Sequence, residues 1–315
     1  MPRIFRREQF ETQALSVFVA LVGMVIGLSI LTPHFLTTEN IFSVFRSFSF
    51  VAILAIGETL TILTAGIDLS VGSILGLSGC LAALAMHAGW GDPLAVALGL
   101  LGGTFLGFVN GFLITWLNLA PFIVTLGMLS IARGLAYVVT RGWPISGFSD
   151  SFMFFGQGSI WLIPVPVIIM TVFALLMGLL LNHTVWGRQL YAIGGNEEAA
   201  RLSGVRISRV KILAYTLSGF SAALTGILLM ARLGVSQSVA GQGYELDAIA
   251  AAVIGGTSLM GGEGTVSGVV IGAAIMGVLR NGLVLLGVSA FWQQVAIGTV
   301  IILAVAVDRL RKKRK

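Results

Sequence analysis

Catalysis and ligation need groups that ionise, coordinate or attack, and this chain carries few of them. His34, His87 and His183 are scattered, the single Cys80 lies in an apolar run, and no HExxH, CxxC or GxSxG pattern occurs. Neither a metal site, nor a disulfide framework, nor a nucleophile elbow is spelled out, so the chain reads as no enzyme and calls for no cofactor of its own. Its four lysines, Lys211, Lys312, Lys313 and Lys315, stand in no GxxxxGK[ST] pattern. A P-loop is therefore missing, and if ATP drives this protein, another chain binds it. The remaining candidates are polar groups set in apolar sequence: Glu58, Asp68, Ser70, Asn110, Glu263 and Asn281, with Glu245 and Asp247 opening an apolar run. A charge at the bilayer centre costs about 2.5–3.5 kcal/mol on insertion scales, so these carboxylates should face protein or water. Two roles stay open for Asp68 and Glu263: lining a solute path, or accepting hydrogen bonds from N–H groups freed where a helix breaks. Glu245 and Asp247 suit the cap of the helix they open, and Asn110 and Asn281 could bond a solute hydroxyl or a neighbouring helix.

The elements that must position these groups follow from composition. Of 315 residues, 57% are hydrophobic and 10% charged. A soluble domain carries about 25% charged residues, so the solvent for most of this surface is lipid. Apolar runs fall at roughly 13–31, 51–64, 70–88, 94–117, 121–139, 160–181, 210–232, 246–259, 264–286 and 290–308. The reading is an all-α polytopic membrane protein, one permease-like domain over 1–315, with about ten transmembrane segments and both termini cytoplasmic. Basic residues support this orientation: Arg3, Arg6 and Arg7, then Arg188, Arg201, Arg206, Arg209 and Lys211, then Arg309 and the closing Arg311–Lys315 run. Under the positive-inside rule these three places lie inside, including a cytoplasmic loop over 183–209, and the net charge of +6 requires no nucleic acid. Trp90, Trp143, Trp161 and Trp292 then fall near the outer interface, and Trp116 and Trp186 near the inner one. Gln13 to Leu31 is read as an anchor, since no small-residue cleavage pattern follows it.

Two runs are too short to span: 51–64 and 245–259, each leading into a glycine-rich break that bears a carboxylate. The stretch Glu39 to Phe50 is read as a short helix in the outer interface, the other possibility being that it begins the second span. In the breaks TAGIDLSVGSILG and MGGEGTVSGVVIG, Gly66, Gly72 and Gly76 match Gly262, Gly268 and Gly272 at a constant offset. Repeated broken helices point to a transport pathway, although Asn110-Gly111 and Asn281-Gly282 offer a rival pairing. Glycines at four-residue spacing, as in Gly103, Gly107 and Gly111, argue for close helix packing.

The loop WGRQLYAIGGNEEAARLSGVRISRVK predicts a short helix. Asn196 suits the N-cap, Glu197 and Glu198 the first turn, Arg201 the last turn, and Gly204 the left-handed position that follows. Helices under about 12–15 residues are marginal in water, so this one needs something to pack on. Ala199, Ala200 and Leu202 supply a small apolar face, for a partner's groove or for this protein's own inner surface.

Taken together, ILTAGIDLSVGSILGLSG, GRQLYAIGGNEEAARLSGV, GYELDAIAAAVIGGTSLMGGEGT and NGLVLLGVSAFWQQ resemble, in order and spacing, the membrane permeases of ribose-type monosaccharide ABC importers. The resemblance runs over nearly the whole chain. It implies a ten-helix permease of the bacterial inner membrane that pairs with a second copy, a separate cytoplasmic ATPase that binds the ATP, and a periplasmic sugar-binding protein. It also implies that Asn196, Glu197, Glu198, Ala199, Ala200, Arg201, Leu202 and Gly204 form the segment that couples to the ATPase. The competing expectations are an ion-coupled secondary transporter using Glu58, Asp68 and Glu263, and a passive channel.

Overall fold

A computed structural model describes the backbone of residues 3–313 and the side chains of residues 17–303, 305 and 306. The terminal basic clusters used to orient the chain lie outside the described side chains. Helices α1 (Arg3–Leu31), α2 (Thr38–Ile62), α3 (Val71–His87), α4 (Asp92–Trp116) and α5 (Pro121–Thr140) come first. Next are α6 (Asp150–Gln157), α7 (Val165–His183), α8 (Val185–Gly195), α9 (Glu197–Leu202) and α10 (Ile207–Leu233). Then follow α11 (Tyr244–Ile254), α12 (Val266–Leu285) and α13 (Ala290–Lys313). Four two-residue strands close the far loops: β1 (Ile145–Ser146) pairs antiparallel with β4 (Val235–Ser236), and β2 (Ser159–Ile160) with β3 (Ile163–Pro164).

Each of the ten apolar runs falls on a helix. Among the described residues six helices, α2, α4, α5, α7, α10 and α12, are long and apolar enough to cross a membrane. This is an all-α polytopic membrane architecture. The second run is corrected, because α2 is a continuous 25-residue helix that starts at Thr38 and so absorbs the stretch read as an interfacial helix. Of the apolar face read there, Phe48 is buried within the bundle, whereas Ile41 and Phe45 are exposed. The short run before the second break is as expected: α11 has only 11 residues, about 16 Å at 1.5 Å per residue, roughly half of a 30 Å hydrocarbon core.

Burial sorts the helices into a centre and a shell. The second half of α2, most of α3 and most of α10 are buried, whereas α4, α5 and α7 turn Leu, Ile, Val and Phe side chains outward. On α4 the outward face carries Phe108, Phe112 and Trp116 in a stacked row, with ring centroids 6.2 and 5.3 Å apart. In lipid such a face gains nothing by burial, so helices associate through close packing of small residues. The expected glycines do this work. A Cβ on Gly107 would come within 2.9 Å of the Gly219 Cα on α10, and one on Gly103 within 2.7 Å of the Ala223 methyl. We expect Gly107→Leu to separate α4 from α10 at a cost of about 1–3 kcal/mol, the usual price of overpacking. Thermal unfolding of the detergent-solubilised protein checks this: Gly107→Leu should melt several degrees below the parent, and an equal melting temperature would contradict the packing.

Candidate functional site

The first break, between α2 and α3, is a knot of buried polar groups. Ala65 takes a left-handed φ of 60° as the chain leaves α2, and the backbone N–H of Asp68 donates to Glu58 Oε1 at 2.9 Å. Asp68 Oδ1 accepts the Ser70 N–H at 3.0 Å and the Ser70 hydroxyl at 2.5 Å, and Oδ2 accepts the Ser218 hydroxyl of α10 at 3.1 Å. Asn110 of α4 donates to Ser70 Oγ at 2.9 Å, and the Thr125 hydroxyl of α5 reaches the Ile67 carbonyl at 3.1 Å. Glu58, Asp68, Ser70, Asn110 and Ser218 are all buried. The break is thus pinned to three helices by side chains that substitute for missing helical hydrogen bonds. Of the two roles open for Asp68, this geometry supports the acceptor of freed N–H groups.

The second break, between α11 and α12, meets the first directly. Gly262 N–H donates to the Leu63 carbonyl at 3.1 Å, and Gly262, at φ 73°, sits where an L side chain is strained. Wedged against both is the end of α8: a Cβ on Gly194 would run into the Leu63 carbonyl and the Gly262 nitrogen. Tyr191, one turn earlier, donates its hydroxyl to the Gly264 carbonyl at 2.8 Å, and burial pushes its phenol up to about 12. Three backbone segments therefore touch with no side chain between them. Glu263 is exposed beside this junction, at the end of the bundle that carries α8 and α9.

From the junction the chain passes straight into α9. Asn196 caps it, its side chain accepting the Ala199 N–H at 2.9 Å. The exit is a Schellman turn: Val205 N–H reaches the Ala200 carbonyl at 3.1 Å, Gly204 N–H the Arg201 carbonyl at 3.0 Å, and Gly204 has φ 83°. Glu197 is tied to Lys211 of α10 at 2.7 Å and to Arg201 at 3.3 Å. Ala200 turns inward and joins the buried apolar cluster that includes Leu60, Leu63, Leu190 and Val210. Ala200 docks on this protein, while Glu198, Ala199 and Leu202, the last 81% exposed, face outward.

At the other end of the bundle the remaining candidates gather. Glu245 Oε1 accepts the Gly243 N–H at 3.3 Å, as a capping carboxylate should. Asp247, instead of capping α11, pairs with Arg280 of α12 at 2.6 Å. Asn281 and Asn40 exchange amide hydrogen bonds at 2.7 and 3.1 Å, joining α12 to α2 as helix glue. Arg133 of α5 donates to the carbonyls of Ser238 and Ala240.

Several of these groups escape sequence reading. Ser218 and Tyr215 look like ordinary residues of an apolar run, and only the fold brings them to the break, Ser218 onto Asp68 and the Tyr215 hydroxyl against Gly66. Helix α8 was also missed, although Thr184, whose hydroxyl accepts the Gly187 N–H at 3.1 Å, and the apolar pair Leu190 and Ile193 were signals for it.

Comparison with known proteins adds lineage. The family described as branched-chain amino acid transport system / permease component matches residues 40–305. The chain is 48% identical to the ribose import permease protein RbsC of Bacillus subtilis over 94% of this chain and 93% of that protein. It is 46% identical to RbsC of Escherichia coli K12 over 93% of each chain. To the D-allose transport system permease protein AlsC of the same strain it is 43% identical, over 95% of this chain and 90% of the other. No solved structure matches the chain.

Asp68→Ala would strand the Ser70 N–H and hydroxyl and the Ser218 hydroxyl, at about 1–3 kcal/mol for each buried group left unpaired. Asp68→Asn keeps an acceptor on the same stem and should lose about half as much. A melting series in detergent should rank parent, Asp68→Asn and Asp68→Ala in that order. Equal melting of all three would remove Asp68 from the break's support.

Proposed function

We propose, since this chain belongs to the family described as branched-chain amino acid transport system / permease component, that it forms the membrane path of an ATP-binding-cassette importer for a ribose-type monosaccharide. The protein is a multi-pass inner-membrane permease and works as a transport subunit. Its relatives are named for import of ribose and D-allose, five- and six-carbon sugars, so the class of solute is a small neutral polyol. A cytoplasmic ATPase and a periplasmic sugar-binding protein complete the assembly, with a second permease copy across a two-fold axis. ATP binds on the ATPase subunit, and the permease carries no cofactor.

The observation that carries this reading is the capped helix α9, whose outward face is unoccupied by this chain's own packing and whose N-terminal side runs directly into the backbone junction of both breaks. A push on Glu198, Ala199 and Leu202 is transmitted through Asn196 and Gly194 to Leu63 and Gly262 without passing through a flexible side chain. The breaks then shift α2–α3 against α11–α12, and alternating access follows from two arrangements of rigid elements. Asn196–Gly204 is accordingly the ATPase-coupling segment of the 183–209 loop, and the ten helices that carry the apolar runs are spans or half-spans with both termini inside. Ion coupling through Glu58 and Asp68 is not favoured, because Glu58 Oε1 and both Asp68 carboxylate oxygens already serve the break.

Two variants separate docking from transmission. In nanodiscs with the ATPase, Glu198→Arg with Leu202→Arg should abolish co-purification of the ATPase. Gly194→Leu should retain the ATPase but lose stimulation of ATP hydrolysis by sugar-loaded binding protein. Wild-type stimulation in both variants would contradict the coupling assignment.

A further inference from the structure

We propose that the first break binds an alkali-metal cation through side-chain oxygens of Glu58, Asn110 and Tyr215, an ion that locks α2, α4 and α10 together. The site is independent of which solute the protein moves. Glu58, Asp68, Asn110 and Tyr215 are all fully buried. Among the described residues neither carboxylate forms a salt bridge. Two like charges in a dry interior need compensation, and the chain supplies only part of it.

Asp68 is provided for, because its two oxygens accept the Ser70 N–H, the Ser70 hydroxyl and the Ser218 hydroxyl. Glu58 is not. Its Oε1 takes the single N–H of Asp68, and its Oε2 has no hydrogen-bond partner. Two further buried atoms of the same knot share that condition. Asn110 donates its amide to Ser70 Oγ while its Oδ1 stays unpaired, and the Tyr215 hydroxyl is unpaired as well. Position brings the three together. A Cβ on Gly66 would run into the Tyr215 phenol oxygen, and Ser218, one turn along α10 from Tyr215, reaches Asp68. Gly111, the neighbour of Asn110, lies against Tyr215, a Cβ there falling 3.2 Å from the Tyr215 Cβ. The phenol also lies within electrostatic reach of both Glu58 and Asp68.

Buried polar atoms are nearly always partnered, so three unpaired ones around one uncompensated carboxylate call for a ligand. Their chemistry names its class. A carboxylate, an amide and a phenol oxygen, with one negative charge to balance, suit a hard monovalent cation. A proton on Glu58 would serve Oε2 and one neighbour at most, whereas a cation draws all three oxygens at once. The ion is structural and stays with the break. It stiffens the end of α2 whose Leu63 carbonyl meets Gly262, and it does not travel with solute.

The test is thermal unfolding of the full chain in nanodiscs, in NaCl, KCl or choline chloride at an equal ionic strength of about 0.15 M. Na+ or K+ should raise the parental melting temperature over choline by about 3–6 °C. Glu58→Gln removes the uncompensated charge and sets an N–H donor among the same oxygens, so it should melt alike in all three salts. Tyr215→Phe keeps the ring and loses one ligand, and should raise the cation concentration giving half the shift by about tenfold. That second variant decides the matter if Glu58→Gln does not fold. Equal melting of the parent in all three salts would overturn the site, as would a cation effect that persists unchanged in both variants. A melting temperature that follows pH between about 5 and about 9 and ignores the salt would assign a proton to Glu58 and overturn the cation.

Discussion

A helix that ends inside a packed bundle leaves N–H and C=O groups without helical partners, and each buried group left unpaired costs about 1–3 kcal/mol. This chain breaks two helices, and the rest of its structure follows from how the freed groups are repaid. At the first break Asp68 and Glu58 accept backbone N–H groups, Ser70 and Ser218 complete the carboxylate, and Asn110 and Thr125 bind in two further helices. At the second, glycines with positive φ make the turn together with Ser258 and Thr265, whose hydroxyls accept backbone N–H groups, and its Gly262 N–H finds the carbonyl of Leu63 from the first. One backbone hydrogen bond therefore joins the two breaks directly, and Gly194 of α8 packs against both as one unit.

That unit explains why the bundle is so rich in glycine. Close backbone approach is needed at the junction and again where α4 crosses α10, since neither can be driven by burying apolar surface from lipid. Stiffness results, because backbone against backbone has no rotamers to absorb a displacement. A short helix with one face docked inward through Ala200 and the other turned out is suited to feed motion into such a unit, and its caps keep it formed without a partner's help.

Much of this was legible in the sequence because the bilayer imposes so few solutions. The ten apolar runs, the half-length segment before α12, and the caps of α9 at Asn196 and Gly204 each follow from local rules. The start of α2 was not, because Phe45 and Phe48 look alike on a helix at a membrane surface and on one entering a bundle. Asp247 was read as a cap because it opens α11, yet its partner Arg280 is 33 residues away and only packing brings them together. Residues such as Ser218 and Tyr215 carry no local signature. Their roles arise from helices that meet in space, which periodicity does not encode.

The most direct measurement is ribose uptake into proteoliposomes under two energy sources. With ATPase and ATP on the side of α9 and loaded binding protein on the other, uptake should require ATP hydrolysis and be indifferent to proton or sodium gradients. Gradient-driven uptake by this chain alone, without ATPase, would contradict the account and return Glu58, Asp68 and Glu263 to the role of ion-coupling groups.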